Sequence, residues 1–216
     1  MAEISGTPRE RYRAQVREEI KSHAWEQIAT AGASALSLNA IAKQMGMSGP
    51  ALYRYFVGRD ELITALIKDA YRDLADTFAE VAAADPAAGP PALARAMRRW
   101  VLADPQRYLL IYGTPVPGYH APPDVTAIAG EIMYTLLDVC MRVPTPRPST
   151  EFTAHLADHR SWAADHPATP ATIQLALNFW TRLHGLLSLE IAGHFTGMEF
   201  DADLLFAAEV DELSER

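Results

Sequence analysis

Residues 37 to 60, SLNAIAKQMGMSGPALYRYFVGRD, constrain the fold most strongly, because they encode two short helices joined by a glycine turn. Ser37 is a favourable N-cap, and apolar residues then recur at spacings of three and four as far as Met45, which predicts a short amphipathic helix. Gly46 ends that helix, because glycine accepts the left-handed conformation at which helices stop. The segment therefore predicts a tight helix-turn-helix corner.

The second helix of this pair begins with small residues and continues with tyrosine and arginine. Ser48 is expected to cap it, Pro50 fits its first turn, and Leu52 with Phe56 forms an inward-facing apolar pair. Small residues let the backbone approach a base-pair edge, and tyrosine and arginine bind phosphates. The second helix of such a pair is the one that enters the major groove of DNA. On this pattern alone, DNA binding and an ordinary helical corner are equal alternatives.

Longer helices are predicted on both sides of the turn. The first, over residues 9 to 31, has an apolar residue at every fourth position from Tyr12 to Ile28, and it ends at Gly32. The second, over residues 60 to 84, carries a similar stripe. Because the turn lies between two long helices, the DNA-binding interpretation gains weight.

The segment from Arg9 to Phe78 resembles the DNA-binding domain of the tetracycline-repressor (TetR) family of one-component regulators. The resemblance rests on the ordered words AWEQIATAG, SLNAIAKQMGMS, ALYRYF and GRDEL. A second resemblance lies in FWTRLHGLLSLEIAGHF (179 to 195), which is preceded by IYGTPVPGYHAPPD (111 to 124). These words resemble the ligand-binding half of a subgroup named for its Trp, His and Gly residues, which here are Trp180, His184 and Gly185.

The family resemblance implies DNA contacts on both short helices and at the start of the next one. The implied contact residues are Asn39, Ser48, Gly49, Pro50, Ala51, Tyr53, Arg54, Tyr55 and Arg59. Arg59 stands where the family commonly has lysine, which preserves the charge needed for a phosphate contact. Tyr55 stands where many relatives have histidine, so packing is the alternative to DNA contact for its ring.

The acidic net charge of −8 is unevenly distributed along the chain. Residues 1 to 72 hold ten Lys and Arg against eight Asp and Glu, a net charge of +2, whereas residues 73 to 216 hold nine against nineteen, a net charge of −10. Phosphate contacts are therefore expected in the N-terminal third. Arg9, Arg11 and Arg13 either add to these contacts or form a solvated helix start.

No segment alternates convincingly like a strand, so we predict an all-α fold of about nine helices. A three-helix helix-turn-helix domain over residues 9 to 58 would join a larger C-terminal bundle over residues 59 to 216. The stretch TPVPGYHAPP (114 to 123) contains four prolines and cannot be regular structure. It is a better candidate for a movable element than the helices around it.

The resemblance also implies a homodimer, since the family counterparts of the helices at 171 to 194 and 201 to 213 pair into a four-helix interface. A twofold dimer presents two recognition helices to a palindrome. Gly185 and Gly193 would permit close helix approach at that interface. Plain tolerance of glycine is the alternative for both, and a helix end is the alternative for Gly193.

A small apolar or aromatic effector is expected to bind among aromatic residues of the C-terminal bundle and the proline-rich stretch. The candidates are Trp100, Tyr108, Tyr112, Tyr119, His120, Tyr134, Phe179, Trp180 and His184. For each of them, ordinary core packing is the alternative. For His184, a hydrogen bond to a backbone carbonyl is a further alternative.

Other site classes find little support in the sequence. Glu151, His155 and His159 have the spacing of metal ligands on a helix, but their charged surroundings favour a solvated surface, and we predict no metal and no cofactor. No phosphate-binding loop or nucleophile motif is present, so no catalytic residue is predicted. Cys140 lies on an apolar pattern and is interpreted as a buried thiol. Without a long apolar run or an apolar leader, the protein is expected to be cytoplasmic, with no membrane partner.

The sequence thus predicts a dimeric repressor that binds a palindromic operator in double-stranded DNA and leaves it when the effector binds. The effector would favour another position of the 60 to 84 helix, which carries the DNA-binding heads. An activator or a ligand-independent regulator of the same fold is the alternative, and a helical ligand-binding protein without DNA affinity is a remote one.

Substitutions on the second helix should separate phosphate contacts from base contacts. Tyr53→Phe and Arg59→Ala should weaken binding to all DNA sequences about equally, whereas changes at Gly49 or Ala51 should alter which sequence is preferred. Binding to a panel of duplexes over a salt series measures both effects. Unchanged binding by Arg59→Ala across that series would contradict the phosphate assignment.

Overall fold

The computed structural model describes residues 7–143 and 150–215. This part of the chain is helical throughout and holds no strand, which confirms the predicted all-α class, with ten α-helices against the predicted nine or so. The helices are α1 (Pro8–Ala31), α2 (Leu38–Gln44), α3 (Gly49–Leu52), α4 (Arg59–Ala84), α5 (Pro90–Ala103), α6 (Pro105–Tyr112), α7 (Pro123–Met141), α8 (Glu151–Asp158), α9 (Pro170–Ile191) and α10 (Ala202–Glu215). Two short 3-10 turns lie at Ala33–Ala35 and Ser161–Ala163.

The helix ends around the turn mostly follow the local rules that the sequence suggested. The Ser37 hydroxyl caps α2 by accepting a hydrogen bond from the Ala40 amide at 3.3 Å. Gly32 and Gly46 adopt φ values of 78° and 64° where α1 and α2 end. These are left-handed values that side chains disfavour, so glycine is required for the chain to leave each helix at these points.

The predicted side-chain cap at Ser48 is wrong. Ser48 occupies the N-cap position of α3, but its side chain makes no capping hydrogen bond. Pro50 stands at the second helical position and has no amide hydrogen to donate. The next amide, that of Ala51, donates to the Ser48 backbone carbonyl at 2.9 Å instead of to its hydroxyl.

The apolar stripe of α1 is buried over only part of its predicted length. Val16, Ile20, Ala24 and Ile28 are buried, whereas Tyr12 is 63% exposed. All residues from 8 to 15 are exposed, so no element of the described chain covers the first two turns of α1. Periodicity marks the face that a helix can bury, but burial also needs a neighbouring element.

The chain divides into two compact units. The first comprises residues up to 70 together with residues 106 to 125. In it α1 packs against the Ala33–Ala35 turn and α2, and α2 packs against α3. The hydroxyl groups of Thr64 and Tyr119 lie 3.0 Å apart and join α4 to the segment after α6.

The second unit comprises residues 71 to 105 and the described residues after 125. In it α5 packs against α9 and α10, and α8 packs against α9. Arg98 of α5 joins three helices, because it lies 2.6 Å from Glu190 of α9 and 2.5 Å from Asp203 of α10, and its guanidinium stacks over the Phe206 ring at 4.8 Å. These bonds, to Glu190 foremost, raise the pKa of Arg98 above its ordinary value.

Helix α4 contributes residues to both units. The functional boundary near residue 59 stays a prediction, because compactness does not assay DNA or ligand binding. Residues 113 to 122 contain no regular structure, as the prolines predicted, and Pro123 is the first residue of α7.

Three further expectations concern single residues or the chain's polarity. Cys140 is buried, as predicted. Gly193 has a φ of 75° just beyond the end of α9, which supports the helix-end alternative for this glycine. Among the described residues, no helix has both the length and the apolar character needed to span a bilayer.

Two glycines of contrasting conformation give a matched test of the turn. Gly46→Ala should lower the free energy of unfolding by about 1–2 kcal/mol, because alanine is strained at positive φ. Gly130→Ala, inside α7 with open space around the added methyl group, should raise it by roughly 0.5–1 kcal/mol. Urea unfolding of both variants measures these changes. Equal destabilisation by the two substitutions would show that the turn conformation is not the cause.

Candidate nucleic-acid interface

The corner formed by α2 and α3 is tight because its backbone is fully used in hydrogen bonds. The Met45 amide donates to the Ile41 carbonyl at 3.0 Å, and the Met47 amide donates to the Ala42 carbonyl at 2.8 Å, which closes α2 around Gly46. Helix α3 is shorter than the sequence suggested: its α-helical part ends at Leu52. The following residues, 53 to 55, form a turn rather than helix.

Two buried residues anchor this recognition segment, which we define as residues 48 to 55. Leu52 and the following Phe56 are both 0% exposed, so the predicted inward-facing pair is confirmed. A Cβ atom on Gly49 would lie 3.6 Å from Oδ1 of Asn39, an ordinary van der Waals distance, so α3 approaches α2 closely at this point. The anchoring leaves the opposite side of the segment open.

The predicted contact residues fall into two groups by exposure. Five are exposed, namely Asn39, Ser48, Pro50, Tyr53 and Arg54. Four are half-buried, namely Gly49, Ala51, Tyr55 and Arg59. Exposed residues from both helices therefore form a surface that combines a carboxamide, a phenol, an arginine and small residues, a set of groups suited to phosphates and base edges.

Lys43 is a residue of this surface that sequence reasoning missed. It is exposed in the last turn of α2, four residues after Asn39. Residues four apart lie on the same face of a helix, so the spacing from Asn39 could have identified it. Lys43 adds a second positive charge beside that of Arg54, which suits binding to a polyanion.

Two arginines of α1 bind the end of the recognition segment. Arg13 donates to the Arg54 carbonyl at 3.0 Å, and Arg17 donates to the Tyr55 carbonyl. The Arg17 guanidinium also lies over the Phe56 ring, 4.0 Å from its centroid. The sequence left Arg13 as a phosphate contact or a solvated residue, but here it satisfies a carbonyl that a short helix leaves without a partner.

Arg59 is anchored inside the first unit. Its guanidinium donates to the carbonyls of Ala33 and Ser34 at 2.9 and 3.3 Å, and its side chain is 31% exposed. The bonds tie the first residue of α4 to the turn that follows α1. The phosphate contact stays a prediction, and the structure adds a positioning role for the same side chain.

The predicted ligand-pocket residues are divided between the two units. Tyr108, Tyr112, Tyr119 and His120 belong to the first, and Trp100, Tyr134, Phe179, Trp180 and His184 belong to the second. In the first unit the Tyr108 and Tyr112 rings have centroids 5.4 Å apart, and His120 is exposed. Whether any of these residues contacts a ligand stays a prediction.

Polar ends of the aromatic residues in the second unit are engaged. Trp100 donates its indole N–H to Asp73 at 2.8 Å. Trp180 and His184 are one helical turn apart on α9, with ring centroids 4.2 Å apart. Burial lowers the pKa of His184 from 6.5 to about 4, so its imidazole is neutral near pH 7.

The histidines that suggested metal-ligand spacing stack on one another. The rings of His155 and His159 lie 3.9 Å apart and almost parallel, at 8°. Nδ1 of His159 lies 3.0 Å from the His155 carbonyl. Within residues 7–143 and 150–215, no group of three His, Cys, Asp or Glu side chains could hold a metal ion.

Comparison with family models gives two matches that together span most of the chain. Residues 20–66, which include α2 and α3, match the model described as bacterial regulatory proteins, tetR family. Residues 91–213 match the model described as tetracyclin repressor-like, C-terminal domain. The second match does not confirm the Trp-His-Gly subgroup expected from residues 179 to 195.

Similar proteins and structures agree with these matches. The HTH-type transcriptional regulator Rv1816 of Mycobacterium tuberculosis (strain ATCC 25618 / H37Rv) is 35% identical over 215 residues, covering 91% of this chain and 90% of that protein. The crystal structure of SCO4313 is 62% identical with a TM-score of 0.90, covering 97% of this chain and 100% of that one. PfmR of Thermus thermophilus, a TetR family transcriptional regulator, is 15% identical with a TM-score of 0.60, covering 91% and 97%, and shows a shared fold.

The lowered pKa of His184 predicts a loss of stability in acid. The unfolded chain protonates this histidine near pH 6.5 and the folded chain only near pH 4, so stability should fall as the pH drops through that window, by up to about 3 kcal/mol. Urea unfolding at about pH 7 and about pH 4.5 measures it, with His184→Gln expected to lose less. The exposed His120→Gln is the matched control. Identical pH dependence in wild type and His184→Gln would contradict this assignment.

Proposed function

The chain belongs to the TetR family of bacterial transcriptional regulators, which carry a helix-turn-helix DNA-binding domain, and on that premise we propose that it is a dimeric repressor released from a palindromic operator by a small apolar or aromatic effector. The observation that supports this most is the exposed surface of α2 and the recognition segment. Its polar and small residues face outward, while Leu52 and Phe56 hold the segment from within.

The exposed residues divide by chemistry into two groups. Lys43, Tyr53 and Arg54 carry the groups that bind phosphates, and phosphate contacts fix the position of a protein on the duplex. Pro50, with the half-buried Gly49 and Ala51, lets the start of α3 approach base edges closely. We therefore assign affinity chiefly to the first group and sequence preference to the second.

A second copy of the chain is the proposed partner at α9 and α10. On α9 the exposed positions Thr181, Gly185, Ser188 and Ala192 carry small side chains at helical spacing. A Cβ atom on Gly185 would meet nothing within 4 Å in the single chain. The space beside Gly185 would then be filled by the partner's helix, as the family's four-helix interface implies.

Effector release is proposed to act through α4. This helix begins at Arg59, beside the recognition segment, and continues as far as Ala84 in the second unit. A ligand changes DNA affinity only by binding one of two conformations more tightly than the other. Typical couplings of about 1–3 kcal/mol would change operator affinity by roughly 5- to 150-fold.

The proposal is tested by selecting fragments of the source genome with the purified protein at two salt concentrations. The wild type should enrich one palindrome, and Lys43→Ala and Tyr53→Ala should lose the enrichment. Arg95→Ala, which removes an exposed arginine of α5 in the second unit, is the matched control and should keep it. No enrichment above the two interface variants would overturn the proposal and leave a helical ligand-binding protein.

The dimer is tested separately by adding bulk at Gly185. Gly185→Gln should weaken self-association by about 1–3 kcal/mol, the usual cost of overpacking a close contact. Sedimentation equilibrium measures it, and circular dichroism checks that the helices persist. Gly130→Gln on α7, also with open space around the added Cβ, is the matched control. Equal association of both variants with the wild type would place the dimer interface elsewhere.

A further inference from the structure

A cleft in the first unit lies beside the Ala33–Ala35 turn, and the aromatic candidates do not line it. It is bounded by the end of α1 and this turn on one side, and by α6 and the residues after it on the other. Its volume is about 310 Å³. This is at the lower end of the range for small-molecule pockets, which begins near roughly 300 Å³.

The lining of the cleft selects for a neutral ligand. Ile28, Leu109, Leu110 and Val116 supply apolar surface, and Ser34, Gln106 and Thr114 supply hydrogen-bonding groups. None of the residues that line it carries a charge. Because a charge buried without a partner is costly, the lining fits a mainly apolar molecule with one hydrogen-bonding group.

Local backbone geometry forms the cleft. A Cβ atom on Gly113 would lie 2.4 Å from the Leu109 carbonyl oxygen, so only glycine allows the chain to turn this closely at the end of α6. Pro115 and Pro117 follow, and their fixed backbone angles keep this wall out of a helix. Val116 between them is 9% exposed and points its bulk inward, whereas Leu109 is 41% exposed.

The cleft shares residues with the anchor of α4. Ala33 and Ser34 line it, and their carbonyls accept the two hydrogen bonds from Arg59. Close to this anchor, the Glu61 carboxylate accepts a hydrogen bond from the Val57 amide at 2.6 Å, which joins α4 to the end of the recognition segment. A molecule that moves the turn therefore acts on the start of α4 and on the residues that precede it.

We propose that this cleft binds a small, neutral, mainly apolar molecule carrying one hydrogen-bonding group, and that its occupation weakens DNA binding by shifting the turn that holds Arg59. The regulatory half rests on the proposed function, whereas ligand binding itself does not. By linkage, a ligand that weakens DNA binding is itself bound less tightly by the DNA-bound protein.

Benzyl alcohol is a suitable probe, with benzoate and benzylamine as charged analogues of the same shape. In methyl-labelled protein, benzyl alcohol should shift the NMR signals of Ile28, Leu109, Leu110 and Val116, and the charged analogues should not. Leu109→Ser should abolish the shifts. Leu102→Ser is the matched control, since Leu102 is 46% exposed and belongs to the second unit. Shifts confined to the second unit, or equal shifts with all three probes, would overturn the site.

The regulatory half is tested with a DNA fragment selected by the wild type. Saturating benzyl alcohol should raise the Kd for that fragment at least about fivefold in the wild type and in Leu102→Ser, but not in Leu109→Ser. Methyl shifts without a change in Kd would overturn the coupling and leave the site standing. If the wild type binds no fragment, the proposed function fails, while the NMR measurement still decides the site.

Discussion

The hydrogen bonds from α1 to the end of the recognition segment are the interaction on which the candidate interface depends. Helix α3 has only four residues, and such a short helix has little stability of its own. Arg13 and Arg17 donate to the carbonyls of Arg54 and Tyr55, which α3 does not continue far enough to satisfy. With Phe56 buried beneath Arg17, the segment is held from behind, and its outer residues need make no contact within the protein.

The same principle continues at the next helix. Arg59 starts α4 and donates to two carbonyls of the turn after α1, so three arginines fix both ends of the chain that leaves α3. Each of these bonds joins a charged donor to a backbone carbonyl, a class of hydrogen bond stronger than a neutral pair. The proposed cleft adjoins this anchor at Ala33 and Ser34, and there a small ligand could act on DNA binding over a short distance.

Local rules predicted much of this arrangement, since helix periodicity, the Ser37 cap and the Gly46 turn depend on neighbours in sequence. Other features depend on distant residues and were missed. Arg13 meets a carbonyl 41 residues away, and Arg59 meets one 26 residues away, which no spacing rule reveals. Tyr12 continued the apolar stripe of α1, but no element of the described chain covers it. The choice of DNA contacts came from family resemblance rather than from periodicity, and it remains to be tested.

Hydroxyl-radical footprinting of the protein, with and without a DNA fragment that it binds, tests the central claim most directly. Tyr53 is 45% exposed and Trp162 in the second unit is 42% exposed, so the two rings should be oxidised at comparable rates in the free protein. The account predicts that DNA protects Tyr53 and leaves Trp162 unchanged. Protection of Trp162 with Tyr53 still reactive would show that DNA binds elsewhere and would contradict it.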